Sequence, residues 1–136
     1  MKGSNPWELA VVGNTLYFGA NNGDNGQELW KSDGTKDGTV MVKDINPIGS
    51  SYPRKIIAVG HTLYFTIDGV SGKELWKSDG TEDGTKMVKD ISDIIGGKTR
   101  YDLITIGNTL YYGGYVNSVG ELWTIREGKV MCSVNE

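Results

Sequence analysis

The 136-residue chain holds a single cysteine, Cys132, and a single histidine, His61. One cysteine excludes an internal disulfide framework and a four-cysteine metal site, and one histidine excludes a His-pair zinc site. A Ser-His-acid triad could be assembled only around His61. Proline is scarce, with three residues. No run approaches the roughly eighteen apolar residues that a helix needs to span a bilayer. The amino-terminal stretch MKGSNPWEL also lacks the apolar centre of a secretory signal, so the expectation is no membrane insertion. Charge of one sign is lacking too: 14 Lys+Arg stand against 17 Asp+Glu, a net charge of −3, scattered with no basic block. Nothing in that distribution fits a nucleic-acid partner.

Glycine is plentiful, with 20 residues, about double the usual share, which implies many turns. The chain also repeats itself. GNTLYF at 13–18 returns as GHTLYF at 60–65 and GNTLYY at 107–112, and ELW recurs at 28–30, 74–76 and 121–123. The first two copies run on as ELWKSDGTKDGTVMVKDI and ELWKSDGTEDGTKMVKDI, whereas the third breaks off into ELWTIREGKVMCSV. Residues 1–136 therefore read as a single domain of three units, about 6–52, 53–99 and 100–136.

Each unit reads as four short strands. In the second they are Lys55–Val59, Thr62–Ile67, Lys73–Lys77 and Thr85–Ile91, broken at Gly60-His61, Asp68-Gly69 and Ser78-Asp79-Gly80. No apolar spacing of three and four is sustained, so helices are not expected. Gly13-Asn14 and Gly107-Asn108 suit hairpin turns that need positive φ. The second strand, Leu16-Tyr17-Phe18 and its equivalents Leu63-Tyr64-Phe65 and Leu110-Tyr111-Tyr112, is apolar on successive residues, which requires cover on both faces. The fold class expected is thus all-β, with three four-stranded antiparallel units as β-propeller blades. Four to eight blades are typical of a closed propeller. Three would leave two apolar ends bare, and a homodimer about a two-fold axis would close six blades. The competing expectation is a piece of a longer repeat protein.

ELWKSDGT, flanked by GNTLYF and VKDI, resembles the bacterial ELWxxDGT repeat family. The likeness covers the whole chain except that the third unit departs from it after Trp123. The resemblance implies propeller-like repeats and an extracellular or cell-surface setting, and it implies no particular activity. SDGTKDGT and SDGTEDGT are similar to the Asp-box turn of sialidase-like propellers, though with different spacing.

Residues repeated in every unit read first as fixed parts of a blade. Trp30, Trp76 and Trp123 are expected in the core rather than as sugar platforms, and Glu28, Glu74 and Glu121 as acceptors for neighbouring backbone or lysine rather than as catalytic acids. Asp33, Asp37, Asp79 and Asp83 belong to DGTxDGT loops, whose oxygens could in principle serve calcium but whose Asp-Gly steps are ordinary turn chemistry. His61 is expected exposed in a turn and Cys132 as a small strand hydrophobe. No catalytic residue, metal site or cofactor is assigned.

Variation says more. In a meander blade the entrance to the first strand and the connection between strands two and three share one face. Aligned on the GNT motif, the entrance residues are Trp7, Arg54 and Tyr101, and the connections 20–27, 68–73 and 114–120 all differ. This variable face is the expected binding surface. Trp7, Arg54 and Tyr101 combine aromatic planes with a guanidinium, a mixture suited to a glycan or an anionic group. The function expected is a non-catalytic binding or interaction module with a glycan or protein ligand and self-association through its blade ends. Two alternatives stay open: a glycoside hydrolase of sialidase type, with Arg54, Arg100 and Arg126 as a carboxylate clamp, and a purely structural repeat segment of a larger surface protein.

Overall fold

A computed structural model describes residues 3–69, 72–90, 102–116, 119–126 and 129–132. They form twelve strands and, among the described residues, no helix. β1 (Trp7–Val12), β2 (Thr15–Asn21), β3 (Gln27–Ser32) and β4 (Val40–Lys43) make the first sheet. The second contains β5 (Arg54–Val59), β6 (Thr62–Gly69), β7 (Gly72–Ser78) and β8 (Lys86–Asp90). The third contains β9 (Asp102–Ile106), β10 (Thr109–Val116), β11 (Val119–Arg126) and β12 (Lys129–Cys132). Each sheet is an antiparallel meander in chain order. The expected strands of the second unit fall inside the observed ones, except that β8 begins at Lys86 and residue 91 lies outside the described residues.

The hairpins start on glycine. Gly13, Gly60 and Gly107 have φ of 59°, 61° and 58°. Asn14, His61 and Asn108, which follow them, are not left-handed. Only the first central residue has positive φ, the pattern of a II′ turn, which is why histidine can stand at 61 where asparagine stands elsewhere. His61 is exposed there.

Side chains alternate across each strand and fill the two gaps between sheets. Between the first and second sheets lie Tyr17, Leu29 and Val42 on one side and Ile56, Leu63, Phe65 and Ile67 on the other. Between the second and third lie Tyr64 and Leu75 facing Leu110, Tyr112 and Ile125, with Tyr112 stacked on Trp123 at 6.2 Å. The middle sheet is therefore covered on both faces, as the unbroken apolar run of β6 requires. The outer faces of the first and third sheets are open: Leu9 is 66 % and Ile106 69 % exposed.

The sheets are not identical. β1 carries one extra residue between Trp7 and Ala10 relative to β2, and β5 one between Arg54 and Ile57 relative to β6. Within these bulges Glu8 and Lys55 sit at φ of 56° and 53°, a left-handed conformation that non-glycine residues seldom adopt. β9 pairs with β10 without such a shift.

Candidate functional site

The variable face is built at the strand entrances and β2–β3 connections. Trp7 lies half-buried against Gly19, where a Cβ would collide with its indole, and its Nε1 donates to the Pro53 carbonyl at 2.9 Å. Pro53 immediately precedes Arg54, so the Trp7 indole is bonded to the backbone one residue before Arg54. Arg54 is exposed, and its backbone carbonyl accepts a hydrogen bond from Thr66 Oγ1 at 3.3 Å. Tyr101 lies outside the described residues. Register adds a further point. Trp7 pairs with Gly19 and Arg54 with Thr66, but the equivalent Gly113 pairs with Asp102, because the third sheet lacks the bulge. Alignment on the GNT motif could not reveal that one-residue offset.

Behind this rim is a buried carboxylate. Glu28 is 0 % exposed and accepts from Ser51 Oγ at 2.6 Å and from the backbone N–H groups of Ile45 and Asn46 at 3.2 Å each. Burial pushes its carboxyl up from 4.5 to about 7, against the pull of these donors and with a smaller push from Asp44. Its role is to hold the segment joining the first two sheets, in line with the expectation that it accepts bonds from neighbouring backbone. Ser51 N and Tyr52 N also donate to the Gln27 carbonyl. Glu74, the repeat equivalent, instead accepts from Trp76 Nε1 at 2.9 Å. The side chain of Glu121 is outside the described set. Sequence reasoning missed Ser51, Tyr52 and Ile48 beside this network. Tyr52 is left-handed at φ 52°, and Ile48 is 98 % exposed at the tip of the connecting segment.

The opposite face carries the two DGTxDGT loops, which repeat atom for atom. Asp33 Oδ1 accepts from the Thr35 N–H and hydroxyl, and Thr35 Oγ1 accepts from Gly38 N. Asp79, Thr81 and Gly84 do the same. These bonds hold both aspartates below their ordinary value. A Cβ on Gly38 or Gly84 would collide with the carboxylate, so a side chain at the second glycine of the motif would displace the aspartate that closes the turn. One oxygen of each aspartate is thus committed to closing the turn. No group of three or more potential metal ligands occurs among the described residues. Arg126 ends β11 opposite Lys129, at the other end of its sheet from the entrance that Arg54 occupies. Arg100 lies outside the described residues.

No protein-family model matches the chain, and no curated protein matches it significantly.

Proposed function

We propose that the chain is a non-catalytic interaction module: three blades of a six-bladed β-propeller closed by a second copy, presenting the variable face to a glycan or protein ligand. The observation that carries closure is that the outer face of the first sheet repeats the face of the second sheet that the first one covers. Leu16, Phe18 and Trp30 correspond to Leu63, Phe65 and Trp76. Leu63 and Phe65 are 1 % and 0 % exposed, whereas Leu16 and Phe18 are only half-buried. Gly80 is buried under Tyr17 and Lys31, whereas Gly34 is exposed. At the other end, Ile104, Ile106 and Tyr111 repeat Ala10, Val12 and Tyr17, which cover the second sheet. The two ends are therefore of complementary kind, and head-to-tail contact about a two-fold axis satisfies both. The propeller and its likeness to ELWxxDGT repeat proteins belong to this reading.

Size-exclusion chromatography with light scattering tests it. The expected mass is twice the 14.8 kDa of one chain, with Phe18→Asp and Ile106→Asp each giving monomers that keep their β-sheet circular dichroism. A stable wild-type monomer would refute closure. For the ligand, a glycan array and a pull-down with immobilised protein should show binding that Arg54→Ala reduces and His61→Ala, on the opposite face, does not. Turnover of a fluorogenic sialoside would overturn the non-catalytic assignment.

A further inference from the structure

The junctions between sheets are not equivalent, and the difference leaves a receptor without its occupant. At the first junction the DGT loop of the second sheet reaches across: Lys31 Nζ donates to the Gly80 carbonyl at 2.8 Å, and the Tyr17 hydroxyl fills the space that a Cβ on Gly80 would need. By repeat, Tyr64 and Lys77 are the same pair one sheet further on. The loop they would receive does not exist, because β11 ends at Arg126 and β12 begins at Lys129. In its place is a cleft of about 510 Å³ lined by Thr62, Tyr64, Lys77, Asp79, Lys86 and Asn108, together with Gly60 and Gly84. Among the described residues, neither the Lys77 ammonium nor the Tyr64 hydroxyl has a hydrogen-bond partner.

We propose that this cleft binds a small carboxylate-bearing ligand, with Lys77 and Tyr64 taking the oxygen that Gly80 supplies to Lys31 and Tyr17. The choice of a carboxylate over a neutral carbonyl rests on Lys86. Its equivalent in the first sheet is the apolar Val40, so the cleft has gained a second ammonium that the first junction lacks. Asp79 offsets one of the two positive charges, and its Oδ1 is occupied by Thr81. Two lysines and one aspartate leave a single net positive charge, which suits a monoanion. Thr62 and Asn108 add neutral donors at the rim. The site lies on the DGT face within one chain and depends neither on closure nor on the variable face.

The test is a titration of the ¹⁵N-labelled protein with glucuronate and with acetate, using glucose and sodium chloride as controls. Saturable shifts at the amides of Gly60, Gly84 and Asn108 are expected with the two carboxylates and not with the controls. Lys77→Met, and independently Lys86→Met, should weaken binding by about tenfold, the worth of one charge-assisted hydrogen bond. Lys36→Met, at an exposed lysine of the first sheet's own DGT loop, should leave it within about twofold. Failure of both carboxylates to produce saturable shifts, an equal response to glucose, or wild-type affinity in both Lys77→Met and Lys86→Met would overturn the assignment.

Discussion

Replacing Glu28 by glutamine should change how stability depends on pH. The Glu28 carboxyl is buried, and desolvation raises it from 4.5 to about 7. Between those values the folded protein holds a proton that the unfolded chain has lost. Stability therefore falls as pH rises through the window, by about 1.4 kcal/mol per unit, or about 3 kcal/mol in all. The structure accommodates the proton: Ser51 Oγ lies 2.6 Å from Glu28 Oε2 and 3.1 Å from the Gln27 carbonyl, so its hydroxyl can turn to Gln27 and accept from the acid. Glutamine cannot ionise, and its amide can donate to Ser51 in the same way, though the Ile45 N–H then loses its acceptor at a cost of about 1 kcal/mol. Urea unfolding of both proteins at pH 5, 6, 7 and 8 gives the difference, wild type minus Glu28→Gln, in which other titrating groups cancel. That difference should drop by 2 to 3 kcal/mol, on the order of the full linkage, from favouring wild type at pH 5 toward favouring the variant at pH 8. A difference that stays flat or rises with pH would show that the three donors outweigh burial, and the assignment of the carboxyl as raised would fail.

Gly34 and Gly80 both sit at φ +93°, but only at Gly80 would a Cβ collide, with the Tyr17 hydroxyl. In the monomeric Ile106→Asp background, where no second copy reaches Gly34, Gly80→Ala should therefore destabilise by about 1–3 kcal/mol more than Gly34→Ala, an overpacking cost readable by thermal unfolding. Trp7→Phe keeps the ring packing and loses the bond to the Pro53 carbonyl, so a loss of about 1 kcal/mol is expected in urea, with equal stability refuting a structural role for the indole N–H. Trp76→Phe should cost about 1 kcal/mol more than Trp30→Phe, because Trp76 Nε1 bonds Glu74 while Trp30 Nε1 is buried without a partner among the described residues.

The repeat, the meander and the all-β content are legible because they rest on local signals: glycine at three hairpin turns, and apolar runs such as Leu63-Tyr64-Phe65 that need cover on both faces. The bulges at Glu8 and Lys55 are not legible, since a left-handed residue that is not glycine leaves no mark in composition. That missing mark is why Trp7, Arg54 and Tyr101 align in sequence while the register sets Asp102, rather than Tyr101, opposite Gly113. The entrance residue Trp7 also does work that spacing could not show, tying the first sheet to the segment before Arg54. Conversely, the aspartates of the DGT loops read as turn formers, and the structure shows them bonded within the turn.

Sameness in sequence does not guarantee sameness in role, and the repeated glutamates show the physical reason. Glu74 satisfies Trp76, two residues away on its own strand. Glu28 would be placed to do the same for Trp30, but Ser51 and the N–H groups of Ile45 and Asn46 converge on it from the connecting segment. Three donors outcompete one, so the carboxylate turns to the junction and Trp30 Nε1 is left without a partner among the described residues. The same logic separates Lys31 from Lys77: an identical side chain is satisfied where a neighbouring loop brings it a carbonyl, and faces a cleft where the next connection is two residues long. In a row of stacked sheets a residue's partner comes largely from the adjoining unit. The third unit's shortened end therefore alters the environment of the second unit, whose own sequence is unchanged.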